Sequence, residues 1–250
     1  MNHSKYIAAL LLLFFEGCSH YYYVPNSENV PLLKEKKEAK LSGGYGFGDY
    51  SNNVEIQLAY AAGKHFGLTS SFQRAWGGDY PQGSYGRGIY FEAGPGYYTT
   101  FSGYGVFEAY SGIGHGSEHH GYINVMTAES YGTSYIELTR FYMQPAIGIR
   151  YEFVEVAFST RLSVVNFNKI ANNVNPTTGY YTDVSSLSTG AFTWIEPAAT
   201  ARLSLNNVGI QFQALYSQNL NSPEIYFGER WHFNIGAFLK FGPGKGTKTK

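Results

Sequence analysis

The chain has 250 residues, enough for one domain, and its 18 Lys plus Arg balance 18 Asp plus Glu, so the formal net charge is zero. Nothing in that balance marks a nucleic-acid or strongly anionic partner, and none is expected. Charged residues make up only 14% of the chain, against roughly 25% in an ordinary soluble domain, while aromatics reach 18%. Yet the mean hydropathy of −0.24 is not that of a helical membrane protein. An apolar exterior wrapped around a polar interior reconciles the two.

Residues 1–17 read as a signal peptide: Lys5 gives a small positive start, and the apolar core Tyr6 to Phe15 is too short to span a bilayer. Gly17 precedes Cys18, the only cysteine in the chain, so no intramolecular disulfide can form. A lone Cys after an apolar core and a small residue resembles a lipobox, although Phe15 and Glu16 replace the usual Leu and small residue. Cys18 is therefore expected to carry a lipid, with palmitate among its acyl chains.

Residues 18–37 are expected to link that anchor to the barrel, with Lys34 to Lys40 (KEKKEAK) as a mixed-charge stretch. Tyr23, Pro25, Asn26, Asn29, Val30, Pro31 and Leu32, followed by Glu35, Lys36 and Glu38, resemble the lead-in of small β-barrel lipoproteins of Bacteroidetes-type bacteria. The resemblance implies an outer-membrane location and a barrel, but no activity and no site residues. It also implies an anchor in the periplasmic leaflet, because Ser19-His20-Tyr21 lacks the acidic residues of surface-exported relatives.

From residue 38 to 242 the chain alternates apolar and polar residues between turns, as in Val54-Ile56-Leu58-Tyr60, Val154-Val156-Phe158 and Trp231-Phe233-Ile235-Ala237-Leu239-Phe241. A period of two puts one strand face in an apolar medium and the other in a polar one. Ten strands are predicted, at 38–48, 53–62, 65–76, 87–98, 101–112, 135–150, 153–166, 190–205, 208–218 and 229–242. Eight is the alternative, because Pro95, Pro145 and Pro197 fall inside strands and lack a ladder donor. Tight turns at Gly63-Lys64, Thr99-Thr100, Tyr151-Glu152 and Asn206-Asn207 alternate with longer connections around 49–52, 77–86, 113–134, 167–189 and 219–228. The prediction is an all-β, antiparallel, up-and-down transmembrane barrel with short periplasmic turns and long extracellular loops. Both termini then belong on the periplasmic side. Tyr97, Tyr216, Trp76 and Trp231 fit an interfacial aromatic girdle. The basic tail 243–250 reads as a solvated extension.

The opposite parity should line the interior. It carries Glu55, Glu92, Glu108, Glu155 and Glu196 against Arg140, Arg150, Arg161, Arg202 and Lys240, with Tyr90, Tyr98, Tyr104, Tyr110, Tyr142 and Gln144. A selective pore would favour one sign at its constriction. A balanced set predicts a salt-bridged, filled lumen without a wide pore. His232 is expected among these residues as a hydrogen-bonded interior group.

One constellation suggests chemistry. His115, His119 and His120, read as part of a Gly-rich loop, offer imidazoles to zinc or copper. Asp49, Asp79 and Asp183 form no pair suited to a barrel protease. The expected protein is no enzyme and needs no cofactor. Its role is structural or interaction-based in the cell envelope, among outer-membrane lipids and in an envelope protein complex. Tyr131, Tyr180 and Tyr181 are expected contact points on the loops. A small transport barrel is the contrasting function.

Overall fold

A computed structural model describes residues 22–49, 51–79, 84–123, 130–173, 190–221 and 228–242. The strands are β1 (Ala39–Gly48), β2 (Ser51–Ala61), β3 (Phe66–Asp79), β4 (Ser84–Phe101), β5 (Gly105–Ile123), β6 (Ser130–Tyr151), β7 (Val154–Asn172), β8 (Ala191–Leu205), β9 (Val208–Tyr216), β10 (Gln218–Asn219) and β11 (Trp231–Phe241). Each pairs antiparallel with its neighbours. The two-residue β10 continues β9 past Ser217 and pairs with β8. β1 pairs with β11 along its whole length, from Ala39 opposite Phe241 to Gly48 opposite His232, and so closes the sheet. The barrel thus has ten staves, not eight.

Alternation along the strands is regular, with register shifts among the described residues at Tyr122/Ile123 and Glu137/Leu138. In β2 the burial pattern switches at every residue, with Val54, Ile56, Leu58 and Tyr60 outward and Asn53, Glu55, Gln57 and Ala59 inward. The outward set is exposed because its solvent is meant to be hydrocarbon: Phe158 is 65% exposed, Ile210 62% and Ile235 57%, on three different staves. An exposed apolar belt of this extent has no place on a water-soluble monomer.

The three prolines sit where a ladder lapses. Pairing of β4 with β5 stops at Ala93–Ile113 and resumes at Gly96–Tyr110, so Pro95 has no partner there. It lapses likewise between β6 and β7 around Pro145, and between β8 and the β9–β10 stave around Pro197. In every case the register resumes unchanged, so each missing donor costs a local pairing and leaves the barrel closed.

Several boundaries move. The turn expected at Thr99-Thr100 lies instead at residues 102–104, where Ser102 and Gly103 take positive φ, and Tyr104 is exposed there instead of lining the lumen. The expected loops at 77–86 and 113–134 are largely strand, because β3 to β6 run on well past their predicted ends. At 18, 19, 22 and 19 residues, β4 to β7 are far longer than β1 or β11. A stave of that length, tilted at about 40°, rises about 50 Å, twice the roughly 25 Å apolar band of such barrels. One side of the barrel therefore projects as a wall beyond the long-loop end. Tyr180 and Tyr181 lie outside the described residues, as do Cys18 and the basic tail.

The largest correction concerns the N-terminal stretch. Residues 22–33, expected to form part of a linker, run through the lumen of the barrel, and Glu35, Lys36 and Lys37 are exposed at its mouth. Tyr22 bonds Tyr122 near the long-loop end, whereas Lys34 bonds Gly103 and Arg150 at the short-turn end. The chain then reverses at Lys37, in the left-handed region at φ 71°, and enters β1. The beginning of the described chain and the end of β11 consequently lie at opposite ends of the barrel, not together.

Candidate functional site: a lumen closed by the N-terminal segment

An extended segment inside a barrel has no strand beside it, so its peptide groups must find partners elsewhere or be left unsatisfied at high cost. The lumen wall supplies them as long polar side chains. Gln73 Nε2 donates to the Pro25 carbonyl at 3.2 Å, Gln57 Nε2 to Ser27 at 3.0 Å and Gln144 Nε2 to Asn29 at 2.9 Å. Gln213 accepts from the Glu28 amide at 2.7 Å and donates to the Glu28 carbonyl at 2.9 Å, standing in for a strand neighbour. Glu55 accepts the Ser27 amide and Glu108 the Leu32 amide, both at 3.0 Å. Leu32 is held at φ 54°, an uncommon conformation for a bulky residue, with its carbonyl taken by Arg150 at 3.1 Å.

The segment fills the lumen in three layers. Tyr22 and Tyr23 pack under the projecting wall with Ile136, Leu138, Val165, Phe167, Phe192 and Trp194. Val30 and Leu32 pack with Val106, Ala146 and Ala157 towards the other end, and Leu33 joins Ala61 and Tyr98. Between these apolar caps lies an ionic middle. Each buried apolar side chain contributes about 1.5–3 kcal/mol to holding the segment in place.

The ionic groups form one centre between the apolar layers and a second cluster on the turn side of the Val30–Leu32 layer, where Glu155 lies one inward row nearer the turn than Ala157. In the first, Arg161 Nε meets Glu196 Oε2 at 2.6 Å, directly across the β7–β8 ladder. Arg140 on β6 reaches Glu92 on β4, two strands away. It can do so because the intervening residue in the same row is Gly114; a Cβ there would collide with the Tyr90 hydroxyl. The lead-in joins this centre. Tyr23 donates to Glu196 at 2.9 Å, Asn26 Nδ2 donates to Glu92 at 2.9 Å, and Arg161 donates to the Asn26 carbonyl at 2.8 Å. In the second cluster Glu155 collects Lys40 at 3.0 Å, Arg202 at 3.3 Å, Arg150 at 3.3 Å and also Lys240. Lys40 lies on β1 and Glu155 on β7, so this carboxylate ties opposite walls together. At the mouth, partial burial and the nearby Arg150 lower the pKa of the Lys34 ammonium below its ordinary value.

All ten residues expected to face the lumen do so, but two of the acids have other partners. Glu55 lies 3.4 Å from His232, itself 1% exposed and 3.5 Å from Glu229, and Glu108 serves the lead-in backbone. Sequence parity missed Lys40 and Glu38, and above all missed Tyr23 and Asn26. The available signal was composition: YYYVPNSENVPLL is too aromatic and aliphatic for a solvated linker.

The histidine cluster does not form a metal site. It lies on β5, where a period of two sends His115 and His119 outward and His120 inward. His115 Nδ1 is 3.4 Å from Thr139 Oγ1 and the His119 ring is 4.5 Å from Tyr135, whereas His120 Nε2 meets Glu118 at 3.1 Å inside. Among the described residues no group of three His, Cys, Asp or Glu side chains could hold a metal ion.

No protein-family model matches the chain, and no curated protein matches it in sequence. Solved structures do. The translocator domain of the autotransporter NalP from Neisseria meningitidis superposes with a TM-score of 0.50 at 11% identity, covering 82% of this chain and 86% of that one. Ail, the attachment invasion locus protein of Yersinia pestis, is similar at TM-score 0.38 and 12% identity, over 82% and 99% of the two chains. The KdgM porin is similar at TM-score 0.36 and 9% identity, over 81% and 99%. The fold is that of the outer-membrane β-barrels.

Two consequences can be measured by urea titration of the folded protein. Arg161→Ala leaves Glu196 buried without its principal partner, so a loss of about 3–5 kcal/mol is expected, smaller in Arg161→Met/Glu196→Gln. Gly114→Val drives a side chain into Tyr90 and should cost about 1–3 kcal/mol, recovered in part by pairing it with Tyr90→Ala.

Proposed function

We propose that this protein is a sealed barrel of the bacterial outer membrane with a structural or interaction role in the cell envelope. One observation carries the reading: the N-terminal segment occupies the lumen from end to end. From Tyr22 to Leu33 every residue is buried except half-buried Val24, and the lumen-facing Glu92, Glu108, Glu196, Arg140 and Arg161 are each at most 2% exposed. A water-filled channel would leave these groups wet. The exposed apolar belt supports the membrane location, and the unpaired edges of a soluble sheet are abolished by closure.

Orientation follows the habit of such barrels, short turns inside and long loops outside. The wall of β4 to β7 then projects from the cell, and with it the start of the lead-in. Tyr22 is the fourth residue after Cys18, a reach of at most about 14 Å. A lipid on Cys18 would accordingly insert in the outer leaflet, not the periplasmic one. The projecting wall is the natural surface for an envelope partner.

Two measurements test this. In planar bilayers the purified protein should give no steady single-channel current; a reproducible open level would favour the transport barrel instead. A short epitope placed between His20 and Tyr21 should be read by antibody on intact cells. Detection only after permeabilisation would reverse the orientation.

A further inference from the structure

Charge on the outer wall is confined to one sector. Among the described residues, the only Asp, Glu, Lys, Arg or His side chains that strands direct outward are Arg74, Arg87, His115, His119, Glu137 and Lys169. They sit on the neighbouring strands β3 to β7, all in the half towards the long loops. The outer faces of β1, β2, β8, β9 and β11 carry none.

The ladder register shows how abruptly the surface changes. One row across β2 to β7 reads Leu58, Ser70, Ala93, Ile113, Phe141, Val164. Two rows further towards the long loops it reads Val54, Arg74, Ile89, Ser117, Glu137, Lys169, and the next begins Asn52, Trp76, Arg87, His119, Tyr135. Apolar wall gives way to cations and aromatic rings within about two rows, roughly 14 Å along a strand. That is the boundary between acyl chains and headgroups, where Trp and Tyr belong.

Glu137 already has partners: the Tyr135 hydroxyl at 2.6 Å and Lys169 at 4.0 Å. Arg74 and Arg87 have no such acid. Arg74 faces Val54 and Ile89 across its two ladders, and Arg87 faces Trp76 and His119. Their diagonal neighbours include each other but no carboxylate, and neither makes an ion pair among the described residues. Two guanidiniums on adjacent strands, diagonal to one another at about 7–8 Å between backbones, can bracket one phosphate with forked hydrogen bonds.

We propose that Arg74 and Arg87 form a binding site for the phosphate of a phosphorylated glycolipid in the outer leaflet, lipid A in chemical class. His119 and Trp76 flank the headgroup, and the apolar rows below receive the acyl chains. Charge complementarity selects this occupant: a protein partner would have to bring an acid down to the acyl boundary, whereas a lipid phosphate already lies there. The assignment rests on the outward orientation of the long loops, which the epitope test examines separately.

The test uses the purified full-length protein in phosphatidylethanolamine nanodiscs containing bis-phosphorylated lipid A, dephosphorylated lipid A or phosphatidylglycerol, with retained lipid counted by native mass spectrometry. Because nanodiscs have no sidedness, failure here reports on the site and not on orientation. Wild-type protein should retain the phosphorylated form in preference to both others. Arg74→Ala/Arg87→Ala should lower that retention about tenfold, the loss of a charge-assisted pair, with folded gel mobility unchanged. Lys64→Ala, at the opposite end, should change nothing. If the double variant does not fold, Arg87→Gln alone carries the test with a smaller loss. Equal retention in variant and wild type, or no preference for phosphate, overturns the site; equal retention of phosphatidylglycerol reduces it to a general anion patch and overturns its assignment to the glycolipid.

Discussion

The interior of this barrel depends on one constraint: ionic side chains directed away from hydrocarbon enter a cylinder too narrow to keep them hydrated. Each must find a counter-charge or a backbone group. The Glu92–Arg140–Arg161–Glu196 centre meets that demand across four ladders, from β4 to β8, and Glu155 meets it by gathering four cations. Neither group is complete without the N-terminal segment. Tyr23 and Asn26 supply hydrogen bonds at the first, and Glu38 pairs with Arg150 beside the second. The wall and the segment satisfy one another.

This reciprocity explains why the lumen holds an extended chain and not a plug of bulky side chains alone. Gln57, Gln73, Gln144 and Gln213 come from four different staves, yet all end on peptide groups between Pro25 and Asn29. A glutamine amide presents donor and acceptor together, which is what a strand edge would offer. Gly114 contributes by absence: without a side chain there, Tyr90 and Arg140 share a space that any larger residue would close. The apolar caps at either end then shield the ionic middle from water.

The outside obeys a simpler rule. Hydrocarbon tolerates any apolar residue of suitable size, so Val54, Phe158 and Ile210 need no specific neighbour, and the exterior reads directly from period-two alternation. That reading failed only where composition misled it. Glycines at 114 and 116 made the second half of β5 look like a loop, although these positions are spaces for Tyr90 within a continuous strand. The same error turned His115, His119 and His120 into neighbours around a metal, when strand geometry sends them to opposite faces. Prolines 95, 145 and 197 argued for fewer strands, but each occupies a lapse in a ladder that keeps its register.

Sequence by itself determined the barrel class, the stave count within its two alternatives, and the face taken by the residues of the strands it predicted, Tyr104 excepted. These are local properties, since parity is fixed by the two-residue repeat of a strand. Tertiary structure decided what fills the lumen, which acid meets which base, and that the described chain begins at the long-loop end. Parity assigns a side chain to a face but not to a partner, and the partners here are separated by up to 185 residues. A mixed-charge stretch ahead of a barrel is equally consistent with a linker outside and a strand-like filler inside. Only the closed wall, with its unpaired glutamines and carboxylates waiting for peptide groups, selects between them.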